Sequence, residues 1–188
     1  MATTLGRLCQ GQVAEVRSSF QTTRTEEDYF GAIAGKTAAL MSCSCRIGAL
    51  IGGADPGETA ALTEYGRCLG MVFQLRDDVL DVTATDEDLG KPAGQDLAEG
   101  IYTLPVLLAL RDGNAGPELR TLLGQPLAHP ERDKARAIVA ASSGVPATVA
   151  VARRSVAEAT EATGGVRSPA VAAGLGRLAG SLLDGLPA

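Results

Sequence analysis

The sequence contains no tryptophan, three phenylalanines, three tyrosines and a single histidine among its 188 residues. Its core must therefore be built mainly from alanine, leucine and valine, whose small or flexible side chains let helices pack closely. Basic residues are also in the minority, with 17 lysines and arginines against 22 aspartates and glutamates and a net charge of −5. Because nucleic-acid binding needs a basic patch that neutralises phosphates, nucleic acid is not an expected partner.

Long apolar segments are missing as well. No apolar run reaches the roughly 18 residues that a membrane span needs, so no transmembrane segment is expected. The first ten residues contain Arg7 and no continuous apolar stretch, which does not fit a signal peptide. These features predict a cytoplasmic protein.

Residue types that commonly bind zinc or act as nucleophiles are few and scattered. The four cysteines lack the paired CxxC spacing of a zinc site, and we interpret them as reduced, small core residues: Cys9, Cys43, Cys45 and Cys68. His129 precedes a proline and is expected at the surface or in a helix cap. The sequence therefore supports neither a disulfide framework nor catalysis by histidine.

Apolar residues recur with a period near 3.6 along the chain, and no sustained two-residue alternation occurs, which predicts an all-α fold in one domain, 1–188. Thr25, followed by three acidic residues, predicts the start of a helix that runs to the Gly52-Gly53 pair. Asp55, with Pro56 and Glu58 behind it, predicts a second start and a helix to about Val82. Residues 83–100 are rich in glycine and charge and predict a long loop, and prolines open four further predicted helices, at Pro117, Pro130, Pro146 and Pro169.

The most informative stretch is the acidic segment 73–81, Phe-Gln-Leu-Arg-Asp-Asp-Val-Leu-Asp. On a helix, Gln74, Asp77, Asp78 and Asp81 fall within one arc of about 100°, beside an apolar stripe. Three carboxylates on one face repel each other, and a multivalent cation such as Mg²⁺, which prefers oxygen ligands, would relieve that repulsion. The alternative interpretation is a solvated acidic face, but the strongly apolar flanks favour a face that lines a cavity.

These residues resemble, in order and spacing, the second aspartate-rich region of the trans-prenyl diphosphate synthases. An upstream segment, residues 33–40, resembles the Lys-Thr helix of the same family. The resemblance covers most of residues 5–110 and implies a helical bundle of the isoprenoid synthase type. It is carried by the motifs Gly70-x-x-Phe73-Gln74-x-x-Asp77-Asp78-x-x-Asp81, Leu89-Gly90-Lys91-Pro92, Asp96-Leu97, Glu99-Gly100, Thr103-Leu104-Pro105 and Ile33-x-x-Lys36-Thr37-Ala38-x-Leu40.

The resemblance also implies roles for single residues. Asp77 is similar to the family's principal Mg²⁺ ligand, with Asp78 and Asp81 supporting it directly or through water. The residues that would hold the allylic diphosphate are Lys36, Thr37, Gln74 and Lys91. The implied reaction is ionisation of an allylic diphosphate, attack by isopentenyl diphosphate on the carbocation, and loss of a proton, with Mg²⁺ and lysines stabilising the departing diphosphate.

The resemblance is incomplete in two respects. The family's first aspartate-rich motif lies on an earlier helix that has no counterpart here, so we expect an incomplete bundle: a fragment, a split-gene product or a truncated sequence. Such a chain should bind Mg²⁺-diphosphate weakly without catalysing condensation, and should need a complementing amino-terminal half, or act as a dimer in a full-length form. Ile101 also stands where many relatives have lysine, and Arg76 points away from the aspartates and does not compensate.

Three other interpretations stay open. The first is a non-catalytic partner subunit of another synthase, although such a subunit has no need of the candidate site residues. The second is a class I terpene cyclase, whose second metal motif usually has an Asn/Ser/Glu pattern and whose cavity is usually aromatic-rich. The third is a helical interaction domain without a ligand.

Overall fold

A computed structural model describes residues 1–90 and 92–187, and the part that it describes is helical and contains no β-strand. The all-α prediction is confirmed. In chain order the elements are α1 (Ala2–Arg17), α2 (Glu26–Ile33), a π-helical segment (Ala34–Ala38), α3 (Ala39–Ile51), α4 (Pro56–Thr83), α5 (Asp86–Leu89), α6 (Gln95–Ala98), α7 (Leu104–Ala109), α8 (Ala115–Leu122), α9 (His129–Ala141), α10 (Gly144–Ala162), a 3₁₀ turn (Thr163–Gly165) and α11 (Pro169–Ser181).

The predicted helix from Thr25 to the glycine pair consists of α2, the π-helical segment and α3 without a break. Its start is a reciprocal cap: the Asp28 amide donates to Thr25 Oγ1 at 3.1 Å, and the Thr25 amide donates to Asp28 Oδ2 at 3.1 Å. These bonds satisfy amides that have no partner within the helix, which is why the chain turns helical here. The π-helical segment was not predicted, because hydrophobic periodicity does not report a single widened turn.

Helix α4 begins as predicted. Asp55 Oδ1 accepts the amide of Glu58 at 2.9 Å, and the helix runs 28 residues, about 42 Å, to Thr83. The spacing of Asp55 and Glu58 also predicts a capping box, but the Glu58 carboxylate instead accepts hydrogen bonds from the amide and Nε of Arg167, at 3.0 and 2.6 Å. The predicted loop that follows contains two short helices, α5 and α6.

The sequence predicts a first helix that ends near Ser18, with a partly apolar face formed by Leu5, Leu8, Cys9, Gln12, Val13 and Val16. Helix α1 has that extent, but this face is largely exposed. Leu5 and Val16 are 62% and 58% exposed, whereas Gly11 and Glu15 are buried. Gly11 explains the difference: a Cβ on it would lie 2.4 Å from the backbone nitrogen of Lys36, so the missing side chain lets α1 approach the π-helical segment closely. Cys9 is exposed on this helix, and its assignment to the core is therefore wrong.

The chain divides into two compact units. The first comprises Met1–Gln12, Gly31–Gln74 and Val151–Gly185. Its core cluster is made largely of small side chains, as the composition predicts: Tyr65, Cys68, Ala159 and Ala179, with Cys45, Leu69, Val156, Ala162 and Leu175 packed against them. Cys68 is the cysteine that matches the core prediction fully, and all four cysteines are free.

The second unit is formed mainly by Val13–Phe30 and Leu75–Ala150. Its short helix α7 is buried along nearly its whole length, and Tyr102, just before it, accepts the amide of Gly124 on its hydroxyl at 2.6 Å. His129 lies at the start of α9, mostly exposed, with Nδ1 3.0 Å from Asp133 Oδ2, as expected of a surface or cap residue. That the chain forms one domain stays a prediction.

Among residues 1–90 and 92–187, no single helix is long and apolar enough to cross a membrane. One pair, His129–Ala141 with Gly144–Gly165, reaches that length and hydropathy when the two are taken together, and these two helices meet at a bend of 61°.

Candidate metal and diphosphate site

Lys36 and Thr37 lie in the π-helical segment, in the middle of the long helix that begins at Glu26. A π-helical turn adds one residue to the helix and is frequent at functional sites, because it changes the direction in which neighbouring side chains project. Both side chains are half-buried, and Ala38 beside them is buried. The local geometry therefore singles out the Lys-Thr pair that the sequence motif indicates.

Thr37 is bonded to Gln74 on α4. Its hydroxyl donates to Gln74 Oε1 at 2.7 Å, across 37 residues of sequence. A side-chain amide whose oxygen accepts a hydrogen bond has its NH₂ group turned to the other side, where it can donate. Two of the four predicted diphosphate-holding residues are thus in direct contact, and a third, Lys36, adjoins Thr37.

The three aspartates of α4 differ in their exposure. Asp77 is exposed, and within the described residues its carboxylate forms no hydrogen bond or ion pair. Asp78 and Asp81 are 1% and 4% exposed. The three aspartates share one face of the helix, as predicted from the helical period. Packing buries Asp78 and Asp81, so Asp77 is the carboxylate that solvent reaches.

Asp78 is held by Tyr29. The hydroxyl of Tyr29, on α2, donates to Asp78 Oδ2 at 2.5 Å, and the tyrosine itself is 1% exposed. Arg24 lies on the ring of Tyr29, with its Cζ 5.5 Å from the ring centroid, and its Nη1 donates to the carbonyl of Tyr102 at 3.0 Å. These residues form a buried cluster beside the motif helix, which we call the Tyr29 cluster: Arg24, Tyr29, Asp78 and Tyr102.

Burial dominates the electrostatics of this cluster. It raises the pKa of Tyr29 well above its ordinary value, and the Asp78 carboxylate raises it further, because a phenolate beside it would be repelled. Burial also lowers the pKa of Arg24. The nearby Glu15, and after it Tyr29 and Asp78, raise this pKa and offset part of that effect. At neutral pH Tyr29 therefore stays protonated and donates to Asp78.

Asp81 caps the short helix α6. Its Oδ1 accepts the amide of Gln95 at 3.2 Å and its Oδ2 accepts the amide of Asp96 at 3.3 Å, while its backbone carbonyl accepts from Gly94 at 2.8 Å. The first amides of a helix have no partner inside it, and a carboxylate near them is favourable to the helix dipole. Asp81 thus ties residues 94–96 to the motif helix.

The end of α4 is held from α9. Arg136 donates from Nε to the carbonyl of Val82 at 3.1 Å, and from Nη2 to the carbonyl of Ala84. These carbonyls belong to the first and third residues after Asp81, at the end of α4, where a helix leaves its acceptors unsatisfied. A basic side chain at this position also interacts favourably with the negative end of the helix dipole.

The carboxylates at this site suit a cation that takes only some of its ligands from protein side chains and the rest from water and substrate. Within the described residues, no three or more His, Cys, Asp or Glu side chains lie together as a ready metal cage. Mg²⁺ typically uses one or two carboxylates and completes its shell with waters and substrate phosphates, and the exposed Asp77 offers one such carboxylate. Lys91, the fourth predicted diphosphate-holding residue, lies outside the described residues.

Comparison with known proteins identifies the family. The family model described as Polyprenyl synthetase matches residues 1–141, which include every candidate site residue. The chain belongs to the polyprenyl synthetase family. Its fold agrees: a polyprenyl synthase from Caulobacter crescentus, described as complexed with calcium and isoprenyl diphosphate, superposes with a TM-score of 0.91 at 30% identity, over 99% of this chain and 58% of that one.

Curated relatives give the same family. A short chain isoprenyl diphosphate synthase from Methanothermobacter thermautotrophicus is 47% identical over 104 residues, which is 55% of this chain and 32% of that protein. A probable hexaprenyl pyrophosphate synthase, mitochondrial, from Neurospora crassa is 38% identical over 174 residues, covering 88% of this chain and 38% of the relative. The matched segments thus span about a third of the length of these two curated relatives, and the chain spans 58% of the Caulobacter protein.

Sequence reasoning missed three residues around the motif helix. Tyr29 could have been noticed, because it is one of three tyrosines in a chain poor in aromatics and a buried tyrosine hydroxyl needs a partner. Arg24 and Arg136 carried no comparable signal, since isolated arginines are ordinarily solvent-facing.

Proposed function

We propose that this chain supplies the second-motif half of a Mg²⁺-dependent prenyltransferase active site, which joins isopentenyl diphosphate to an allylic diphosphate. One observation carries the proposal. Asp77 is exposed on α4 one turn after Gln74, and the side-chain oxygen of Gln74 accepts a hydrogen bond from Thr37. The family match supports it, because the model that matches residues 1–141 is described as Polyprenyl synthetase.

Each residue type suits its proposed task. Asp77 would bind Mg²⁺, with Asp78 and Asp81 supporting it, and bound Mg²⁺ would supply neutralising charge to the departing diphosphate. Lys36 and Lys91 would add compact positive charges, and Thr37 and Gln74 would donate or orient hydrogen bonds at the phosphate oxygens. Apolar helix faces would keep water from the carbocation.

The isolated chain should bind Mg²⁺-diphosphate but not form product. Its 188 residues contain one Asp-Asp pair, at 77–78, whereas the resemblance implies two aspartate-rich motifs in a complete site. We infer that a second polypeptide segment bearing the first motif completes the site. It would come from a complementing amino-terminal half or from a longer form of the protein that dimerises.

A relative supports a multi-component arrangement. A protein from Geobacillus stearothermophilus, 42% identical over 112 residues, is named heptaprenyl diphosphate synthase component 2, which describes it as one component of its enzyme. A role as one subunit of a synthase made of several components is the second candidate function for this chain on that ground. Location in the cytoplasm stays part of the proposal.

Metal-dependent ligand binding tests the first step. Thermal unfolding is followed with Mg²⁺ and methylene bisphosphonate, a stable diphosphate analogue, for the unaltered chain, Asp77→Ala and Asp184→Ala. We expect the ligands to raise the Tm of the unaltered chain and of Asp184→Ala, an exposed aspartate outside the motif, and not that of Asp77→Ala. A rise in the Tm of the unaltered chain no larger than that of Asp77→Ala would contradict ligand binding at Asp77, and no rise in any of the three would point to a helical domain without this ligand.

Complementation tests the second step. The chain is assayed with allylic and isopentenyl diphosphates alone and after mixing with a separately produced amino-terminal part of a polyprenyl synthase that bears the first motif. Product only in the mixture supports the proposal. Robust product from the chain alone contradicts the requirement for a partner segment, and product from a mixture containing Asp77→Ala favours a non-catalytic partner role.

A further inference from the structure

The hydroxyl of Tyr29 is buried against a carboxylate of the motif helix, although the two residues are 49 positions apart in sequence. A buried tyrosine hydroxyl without a partner would be costly, and a buried carboxylate without a donor would be costlier still. The bond at 2.5 Å between Tyr29 and Asp78 therefore meets both requirements at once. It joins α2 to α4 at the second aspartate of the motif.

The tyrosine ring is itself fixed in orientation. The guanidinium of Arg24 lies over it, 5.5 Å from the centroid, and the ring of Phe30 meets it edge-on at 5.2 Å with an interplanar angle of 68°. Arg24 is 6% exposed and is fastened to the carbonyl of Tyr102. Because Arg24 and Phe30 both contact the ring of Tyr29, the ring has one orientation and its hydroxyl points in one direction.

Fixing Asp78 also fixes Asp77. Neighbouring residues on a helix are separated by about 100° of rotation, so a helix that is held at Asp78 has a determined direction for the side chain of Asp77. Asp78 is buried and Asp77 is exposed, which is the arrangement that such an anchor would produce. Asp81, one turn further along α4, is also held, by the amides of Gln95 and Asp96, and this second anchor also fixes the rotation of the helix.

We propose that Tyr29 is a positioning residue of the metal site: by holding Asp78, it sets the rotation of the motif helix that presents Asp77 to Mg²⁺ and diphosphate. This inference rests on the proposed function, since it assumes that Asp77 binds the metal. It assigns to Tyr29 a role that the aspartate motif does not contain. Removing a hydrogen-bond partner next to a metal ligand typically weakens metal binding by about 10- to 100-fold.

The test separates positioning from stability with two matched variants. Tyr29→Phe removes one buried hydroxyl from the motif helix, and Tyr65→Phe removes one buried hydroxyl that donates to the carbonyl of Leu175 at 2.9 Å, outside the Tyr29 cluster. Titration calorimetry measures Mg²⁺ affinity in the presence of methylene bisphosphonate, and the Tm without ligand measures stability. We expect both variants to lower the Tm to a similar extent, and Tyr29→Phe alone to weaken Mg²⁺ binding, by about 10-fold.

The outcomes are distinguishable. If Tyr29→Phe binds Mg²⁺ like Tyr65→Phe while Asp77→Ala does not bind it, the positioning role is wrong and the proposed function stands. If Asp77→Ala binds like the unaltered chain, the proposed function fails and this inference fails with it.

A measurement without substitution covers the case in which Tyr29→Phe does not fold. The three tyrosines of the unaltered chain are labelled with ¹³C in the ring, and Mg²⁺ with methylene bisphosphonate is added. The ring signals of Tyr29 should shift and those of Tyr65 should not. An unchanged Tyr29 spectrum at ligand saturation would overturn the inference.

Discussion

Gly70 of α4 lies directly against Ala38 of the π-helical segment. A Cβ built on Gly70 would stand 2.6 Å from the Cα of Ala38, closer than real Cβ atoms approach any backbone atom. Thr37 precedes Ala38, and Gln74 follows Gly70 by one helical turn, so this contact brings the two helices near enough for the Thr37–Gln74 bond of 2.7 Å. Close packing against Ala38 thus explains why the motif has a glycine at position 70.

Gly70→Ala should destabilise the fold. Because the clashing atoms belong to backbone, the helices must move apart, and we expect a loss of about 1–3 kcal/mol in the free energy of unfolding. Gly48→Ala on α3 is the matched control, since a Cβ there meets nothing within 4 Å and alanine is the better helix former by about 0.5–1 kcal/mol. Urea denaturation measures both, and a Gly70→Ala variant as stable as Gly48→Ala would contradict the contact.

Arg136→Met should loosen the segment that follows α4. The substitution removes donors to the carbonyls of Val82 and Ala84 but keeps an apolar stem. We expect a loss of about 1–2 kcal/mol, because bonds from a charged donor to partly buried carbonyls are lost. Amide hydrogen exchange between residues 82 and 98 should accelerate.

Lys134→Met is the control for Arg136→Met. Lys134 lies on the same helix, and its ion pair with Glu118 is exposed on both sides, a kind of pair that contributes little to stability. If the two variants exchange equally fast between residues 82 and 98, the arginine does not hold this segment.

Much of the local structure follows from short-range patterns in the sequence. The caps at Thr25 and Asp55 and the proline-opened helices depend on residues within one turn of each other, so they are readable without the fold. The Tyr29–Asp78 bond and the Arg136–Val82 bond are not, since they join residues 49 and 54 positions apart and depend on which helices meet. The motif indicated which aspartates matter. Only packing shows that Asp78 and Asp81 are buried while Asp77 is exposed.

Asp112 predicts a pH dependence of stability. Its carboxylate accepts from the hydroxyl of Ser143 at 2.6 Å and from the amides of Asn114, Ala115 and Ser143, and these bonds hold its pKa well below the ordinary value. A depressed pKa in the folded state means that the stabilisation is fully present above the unfolded pKa, about 4, and is lost as the pH falls below it. The Tm of the unaltered chain should therefore exceed that of Asp112→Asn at pH 7.

The difference in Tm should shrink steadily as the pH is lowered from 4 toward 2. Asp184→Asn serves as the control, because no hydrogen bond to the Asp184 carboxylate is present within the described residues, and its Tm should follow that of the unaltered chain. A Tm difference for Asp112→Asn that stays constant over this range would show that the hydrogen bonds at Asp112 are not coupled to its ionisation.

Thr37→Val should weaken diphosphate binding with little effect on the fold. Valine has nearly the same shape as threonine but cannot donate to Gln74 Oε1, so the Gln74 amide loses the contact that orients it. A hydrogen bond of this kind contributes a net 0.5–1.5 kcal/mol to folding stability, so the loss of stability should not exceed about that amount. The affinity for Mg²⁺-methylene bisphosphonate should fall, because the Gln74 amide is no longer held by Thr37. Thr160→Val is the matched control, because its exposed hydroxyl donates to the Val156 carbonyl of its own helix. Thr37→Ser should restore the affinity. If Thr37→Val binds the ligand as tightly as Thr160→Val, the Thr37–Gln74 bond has no part in the site.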